Sequence, residues 1–232
     1  MTSSAAPRRI GRPPAFQADD AVTVALGIGI ADFSMTRVAR SLGVTAPALY
    51  RLFPDREALH RACLDEIRRR TPPVRDADTS RDLLDHFAAA VWEMLIRFPG
   101  LPAVEPGIAG DLRIADHADN ADHADNADQA DNVPATVTSR LRDLGFSPDQ
   151  ASFAVQYIAD LAVGTAAHLQ NLLPQFPVDP TDPDAPTLHD EHGHRITGAD
   201  ELTASFRRQF ISYTEFFLDH LDRVAPDWPG VR

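Results

Sequence analysis

The chain has 232 residues, 44% of them hydrophobic, and a net charge of −12, enough to bury a substantial core and to divide into one small and one larger domain. Its single cysteine, Cys63, excludes an internal disulfide. The absence of any long apolar run excludes a spanning segment, so a reducing cytoplasmic setting with no membrane partner is expected. The charge is uneven: residues 1–75 hold 12 Arg against 7 acidic residues, while residues 76–232 hold 10 Arg against 27. A basic beginning suits a polyanionic partner, and an acidic remainder stays off it.

Residues 1–15, MTSSAAPRRIGRPPA, are too polar and proline-rich for a signal peptide and read as a flexible basic arm. Arg8, Arg9 and Arg12 would add phosphate attraction that needs only proximity and charge. From Ser34 to Leu59 the chain reads SMTRVARSLGVTAPALYRLFPDREAL, which predicts two short helices around a tight turn. Ser34 can cap the first, with Val38, Ala39 and Leu42 on its apolar face. Gly43 tolerates the φ > 0 of a sharp stop, Val44 can bury between the helices, and Thr45 can cap the second. Pro47 then falls in the first turn, where a missing N–H costs nothing. Val38, Leu42, Val44, Leu49 and Leu59 form a small core, and a further helix runs from Asp55 to Arg70. The unit carries no nucleophile paired with a base and no ligand cluster. It is built for contact, so an enzyme is not expected.

Beyond Arg70 the sequence reads as helical throughout, with no alternation of period two. Thr79 to Phe98 places Leu83, Leu84, Phe87, Val91, Leu95 and Phe98 at spacings of three and four. Ser147 to Leu173 opens with Ser-Pro-Asp-Gln, a capping-box signature, and is apolar nearly all round. A helix buried on every side needs two partners, and one of them is expected to be a second subunit. Gly198 to Val224 carries Leu202, Phe206, Phe210, Tyr213, Phe217 and Leu221 on one stripe. Two inserts interrupt this region. Residues 115–132 are six Ala-Asp-X triplets, and although their aspartates with His117 and His123 invite a metal, the pattern fits an acidic surface loop better. Residues 174–197, with His189, His192 and His194, read as a flexible loop between the last two long helices. No metal site, catalytic residue or cofactor is expected.

The segment from about Phe16 to Ile67, and GVTAPALYRLFPDREAL within it most specifically, resembles the DNA-binding domain of the TetR family of bacterial transcriptional regulators. Residues 141–170, LRDLGFSPDQASFAVQYIADLAVGTAAHLQ, loosely resemble the tetracycline-repressor-like C-terminal domain. The resemblance implies an all-α fold: a three-helix helix-turn-helix DNA-binding domain over residues 16–70, then a larger helical ligand-binding and dimerisation domain over residues 71–232. It implies that Thr45 and Tyr50 touch phosphates and that Ala46, Pro47, Ala48 and Arg51 face base edges or thymine methyls. Thr36 would sit where backbone N–H groups favour a phosphate, with Arg37, Arg40 and Arg56 as backbone clamps. The implied partners are double-stranded DNA carrying a near-palindromic operator, a second copy joined through the last two long helices, and an unknown small-molecule effector. Trp92, Met94, Phe98, Phe153, Tyr157 and His168 are the candidates for lining an effector pocket. Two alternatives stand beside a ligand-released repressor: a DNA-binding or architectural protein without a sensor, and a metal-handling protein using the Asp/His repeats.

Overall fold

The computed structural model describes residues 16–104, 112, 136–179, 181 and 187–224. Among the described residues the fold is all-α, with helices α1 (Ala18–Ile28), α2 (Met35–Ser41), α3 (Ala46–Tyr50), α4 (Arg56–Arg70), α5 (Ser80–Arg97), α6 (Leu101–Val104), α7 (Val137–Asp143), α8 (Pro148–Leu172) and α9 (Ala199–Val224). The basic arm and the Ala-Asp-X repeat lie outside the described residues. The chain divides into two compact units, Met1–Glu66 and Ile67–Arg232, so the division falls inside α4.

In the first unit, α1 turns Ala21, Val22 and Ala25 inward, and Phe33, Val38, Leu49, Leu59 and Cys63, these five at most 2% exposed, complete the core. Ser34 caps α2 as its position predicts, its Oγ accepting from the Arg37 amide at 3.2 Å. The turn that follows is a Schellman motif. Gly43 sits at φ 68°, its N–H donates to the Arg40 carbonyl at 3.1 Å, and the Val44 N–H reaches back to Ala39 at 3.0 Å. Two carbonyls at the end of α2 are thereby satisfied, and the chain leaves at an angle that a residue with a Cβ would adopt only under strain.

Thr45 occupies the N-cap position of α3, but its hydroxyl makes no capping bond. The reason is local. Pro47 offers no N–H, and the Ala48 N–H is already donated to the Thr45 carbonyl at 2.9 Å. A capping hydroxyl normally takes one of those two amides. Asp55 starts α4 in the ordinary way, accepting from the Ala58 N–H at 2.7 Å.

The second unit is organised around α5 and α8. Thr79 caps α5 (Asp82 N to Thr79 Oγ1, 3.1 Å), and the predicted capping box of α8 forms in both directions, with Gln150 N to Ser147 Oγ at 3.3 Å and Ser147 N to Gln150 Oε1 at 2.8 Å. Helix α5 packs against α7, α8 and α9, and Leu83, Leu84, Phe87 and Leu95 of α5, Leu141 of α7, Ile158 of α8, and Leu202 and Phe210 of α9 are all buried. The inner face of α8 is narrow because Ala151, Ala154, Ala162 and Ala166 line it at 0% exposure. Gln170 clamps the end of α5, its Nε2 donating to the Leu95 carbonyl at 3.1 Å and its Oε1 accepting from Gly100 N at 3.0 Å. Helix α7 ends as α2 does, with Gly145 at φ 98° and the Phe146 N–H returned to Leu141.

Where the composition of residues 174–197 suggests a flexible loop, its described part closes on itself. Ile196 N donates to Leu188 O at 2.8 Å and Asp190 N to His194 O at 2.9 Å, forming a short hairpin. The Asp190 carboxylate organises the tip by accepting from the His192 and His194 amides at 2.9 and 2.8 Å. Buried Phe176, Val178 and Ile196 anchor the base.

Candidate nucleic-acid interface and helical-domain cavities

On the first unit, the two short helices present an exposed ridge. Leu49 is the buried anchor of α3, at 0% exposure, while Thr45, Pro47, Arg51 and Tyr50 face outward and Ala46 and Ala48 are half-buried. The Tyr50 ring is 48% exposed although it belongs to a helix of only five residues. Thr36, Arg37 and Arg40 lie exposed on α2, the two arginines one turn apart. A hydroxyl not used for capping, a phenol and three exposed guanidinium groups on adjacent helices suit phosphate oxygens, and half-buried alanine methyls suit close approach to base edges. Arg56 is placed differently. Its Nε donates to Phe33 O and its Nη2 to Ala31 O, both at 3.2 Å, with the guanidinium 4.8 Å from the Phe33 ring centroid. These contacts fasten α4 to the loop between α1 and α2.

In the second unit, the six aromatic, methionine and histidine candidates are distributed over separate places. Met94 lines a groove of about 570 Å³ between α5 and residues 71–75, together with His86 and Arg97. Phe98 is the buried C-cap of α5, with the Arg97 guanidinium 5.8 Å from its ring. His168, exposed on α8, meets Phe206 edge-on at 5.2 Å and borders a groove of about 640 Å³ against the hairpin and α9. Phe153 and Tyr157 are 52% and 41% exposed on α8, where Tyr157 stacks on Phe217 at 4.1 Å. Trp92 is buried and stacks on Phe210 with centroids 5.3 Å apart. Both rings line a cleft of about 210 Å³ between α5 and α9, whose walls also carry Asp85, Arg207, Thr214 and Glu215.

Those last four residues are not distinguishable in the sequence. Each looks like an ordinary polar position on a helix, and only the pairing of α5 with α9, well over 100 residues apart in the chain, brings them together. Helix α9 is flanked by a groove on either side: the Trp92 cleft towards α5, and towards α8 a shallow furrow lined by Gly164, Thr165, His168, Gln209 and Tyr213. Tyr213 of that furrow and Phe216 stand 49% and 65% exposed on α9, while Phe153 and Tyr157 of α8 pack against Phe217 of the same helix. Among the described residues, no three His, Cys, Asp or Glu side chains converge on a metal position, and no helix is long and apolar enough to cross a membrane.

A sequence profile described as bacterial regulatory proteins, tetR family, matches residues 19–63, which span α1 to α3 and most of α4. No curated protein matches by sequence. Among solved structures, the fold is similar to TetR from Acinetobacter baumannii AYE, at 20% identity over 86% of this chain and 93% of that one with a TM-score of 0.53. A variant of the same protein in complex with minocycline gives 17% identity over 86% and 93% with a TM-score of 0.50. The Streptomyces coelicolor TetR family protein ActR, in complex with (S)-DNPA, gives 15% identity over 90% and 98% with a TM-score of 0.51.

Proposed function

We propose that this chain, whose residues 19–63 match a profile of tetR-family bacterial regulatory proteins, is a cytoplasmic homodimeric repressor released from a near-palindromic operator by a small molecule. The observation that carries the reading is the α2–α3 pair, joined by the Schellman turn at Gly43, with Arg37, Arg40, Thr45, Tyr50 and Arg51 all exposed on it. In this reading Thr45 and Tyr50 hold phosphates, Arg51 and the faces of Ala46, Pro47 and Ala48 read the major groove, and Thr36, Arg37 and Arg40 grip the backbone. Arg56 serves the domain's own integrity.

Dimerisation is supported by Phe153, Tyr157, Tyr213 and Phe216, a set of exposed aromatic rings on two adjacent long helices. A monomer gains nothing by leaving such a patch in water. Burying it against a symmetry-related copy makes a four-helix interface and sets two recognition helices apart by a fixed distance, about 34–36 Å for half-sites one turn apart. An effector acts by preferring one spacing over the other, with an ordinary coupling of about 1–3 kcal/mol. The cavities of the second unit, and solved relatives crystallised with small molecules, support such an effector; of the sequence candidates, Trp92, Met94 and His168 border cavities.

The test is selection of bound sequences from random duplex DNA at a stated salt concentration, then footprinting upstream of the gene. A palindromic motif bound by two copies is expected. Salt-sensitive binding with no sequence preference would overturn the reading in favour of an architectural role.

A further inference from the structure

The cleft between α5 and α9 is chemically unlike the other cavities. Its accessible lining is apolar at Ala89 and Ile211, beside the Trp92–Phe210 stack, whose rings lie 14° apart and are almost wholly buried. Its rim is acidic. Asp85 on α5 and Glu215 on α9 stand on opposite walls, and among the described residues neither is engaged in an ion pair. The neighbouring cations are committed elsewhere: Arg207 Nη2 to Glu93 at 3.3 Å and Arg81 Nη1 to Asp219 at 2.7 Å. Arg207 itself lines the cleft, so its walls carry two carboxylates against one guanidinium, which is already paired with Glu93.

We propose that this cleft is the effector site and that its ligand is a small organic cation, an ammonium group carried on an aromatic or alkyl body; the proposal rests on the ligand-responsive reading above. The ammonium sits between Asp85 and Glu215, where it relieves the repulsion between two carboxylates that share a site. Its apolar body packs against Ala89 and Ile211, beside the buried Trp92–Phe210 stack. The electrostatics agree with the geometry. Burial first, then the charges of Asp82 and Glu215, hold the Asp85 carboxyl above its ordinary value, against the opposing pull of Arg81 and His86. Size narrows the class further. At about 210 Å³ the cleft lies below the usual range for drug-sized ligands, about 300–1,000 Å³. It exceeds the roughly 150 Å³ that accommodates a benzene ring. One ring with a short alkylammonium arm fits. An anion of the same shape is repelled by the rim, and a neutral alcohol has only the apolar lining to bind.

The experiment titrates the full chain with phenethylammonium chloride, phenethyl alcohol and phenylacetate, following heat by calorimetry and tryptophan emission in parallel. Saturable binding of the ammonium, at least about tenfold tighter than the alcohol, is expected, with no uptake of phenylacetate. The double variant Asp85→Asn/Glu215→Gln, nearly isosteric at both positions, should bind ammonium no better than alcohol while its unfolding midpoint stays in place. Trp92→Phe keeps an aromatic ring in the stack, so it should retain the calorimetric affinity and lose the fluorescence response. Equal affinity for ammonium and alcohol, unchanged binding by the double variant, or no saturable ammonium binding would each overturn the proposal. Repeating the titration on the operator complex separates the two readings: ammonium binding that leaves the complex intact keeps the cation site and overturns its role as the effector site.

Discussion

Arg140 donates from Nε to the Asp76 carboxylate at 2.8 Å and from Nη2 to the Ala77 carbonyl at 3.1 Å, so one guanidinium pins α7 to the segment entering α5. The hydrogen bond to Asp76 is the main cause holding the Arg140 pKa above its ordinary value. Both side chains are largely shielded, at 24% and 15% exposure. Asp76→Asn is therefore expected to cost about 1–3 kcal/mol, the range for a hydrogen bond to a charged group left without its charged partner. Chemical denaturation of the variant checks this; an unchanged midpoint would show that the bond is a surface ornament.

On the DNA-binding surface, Tyr50→Ala should weaken binding to all sequences alike by removing a phosphate contact. Arg51→Ala should weaken it by about 1–3 kcal/mol and also relax base preference. Thr45→Val tests the uncapped hydroxyl separately: because it caps nothing, the variant should lose DNA affinity without losing stability. Binding measured at two salt concentrations distinguishes the roles, and full affinity in all three variants would exclude α3 as the reading helix.

The exposed aromatic face predicts the assembly state. Phe216→Glu combined with Tyr157→Glu should convert a dimer to a monomer in sedimentation equilibrium, with the helical circular dichroism preserved because both rings are exposed in the single chain. A variant that stays dimeric would place the interface elsewhere.

Cys63 is fully buried, and burial, followed by the charge of Glu66, pushes its thiol up to about 12. Thiolate is the reactive form, so the native protein should resist thiol reagents at neutral pH and react at one site per chain only after unfolding. Rapid labelling of the native state would contradict this and point to local opening of α4.

Acid should loosen the hairpin and the start of α9 together. Amides of His194 and His192 hold Asp190 below its ordinary carboxylate value, and amides of Thr197 and Gly198 do the same for Glu201. A depressed carboxylate stabilises the fold fully above its unfolded value, 3.8 for Asp190 and 4.5 for Glu201, and this contribution fades as pH falls through the lower folded value. The protection factors of the amides at these four positions, corrected for intrinsic exchange, should fall below about pH 4 and stay constant between pH 5 and 7. Exchange already fast at neutral pH would show that the carboxylates do not hold the turn.

The parts of this fold that could be read from the sequence are local. Ser34, Thr79 and Ser147 cap helices because their partners lie three residues away, and Gly43 ends α2 within the same short window. The hydrogen-bonded start of α7 carries no standard capping-box signature, because Ser139, rather than Glu or Gln, completes the box with Thr136. The hairpin at 188–196 was hidden by a polar, histidine-rich composition whose order depends on a single carboxylate accepting two amides. Contacts such as Gln170 with Leu95, or Asp85 facing Glu215, depend on which helices pair, information that no periodicity contains. The cap at Thr45 shows the opposite case, in which a correct position did not deliver the expected bond because Pro47 removed the amide.

Helix α9 stands between two grooves, and this makes protein concentration a variable in its chemistry. If a second copy settles against one side and a cation against the other, the two equilibria share a wall, and by linkage each must alter the other by the same factor. The affinity for an ammonium probe will then differ between dilute protein, where single chains prevail, and concentrated protein, where pairs do. Identical affinities at both extremes would mean that α9 insulates its two sides.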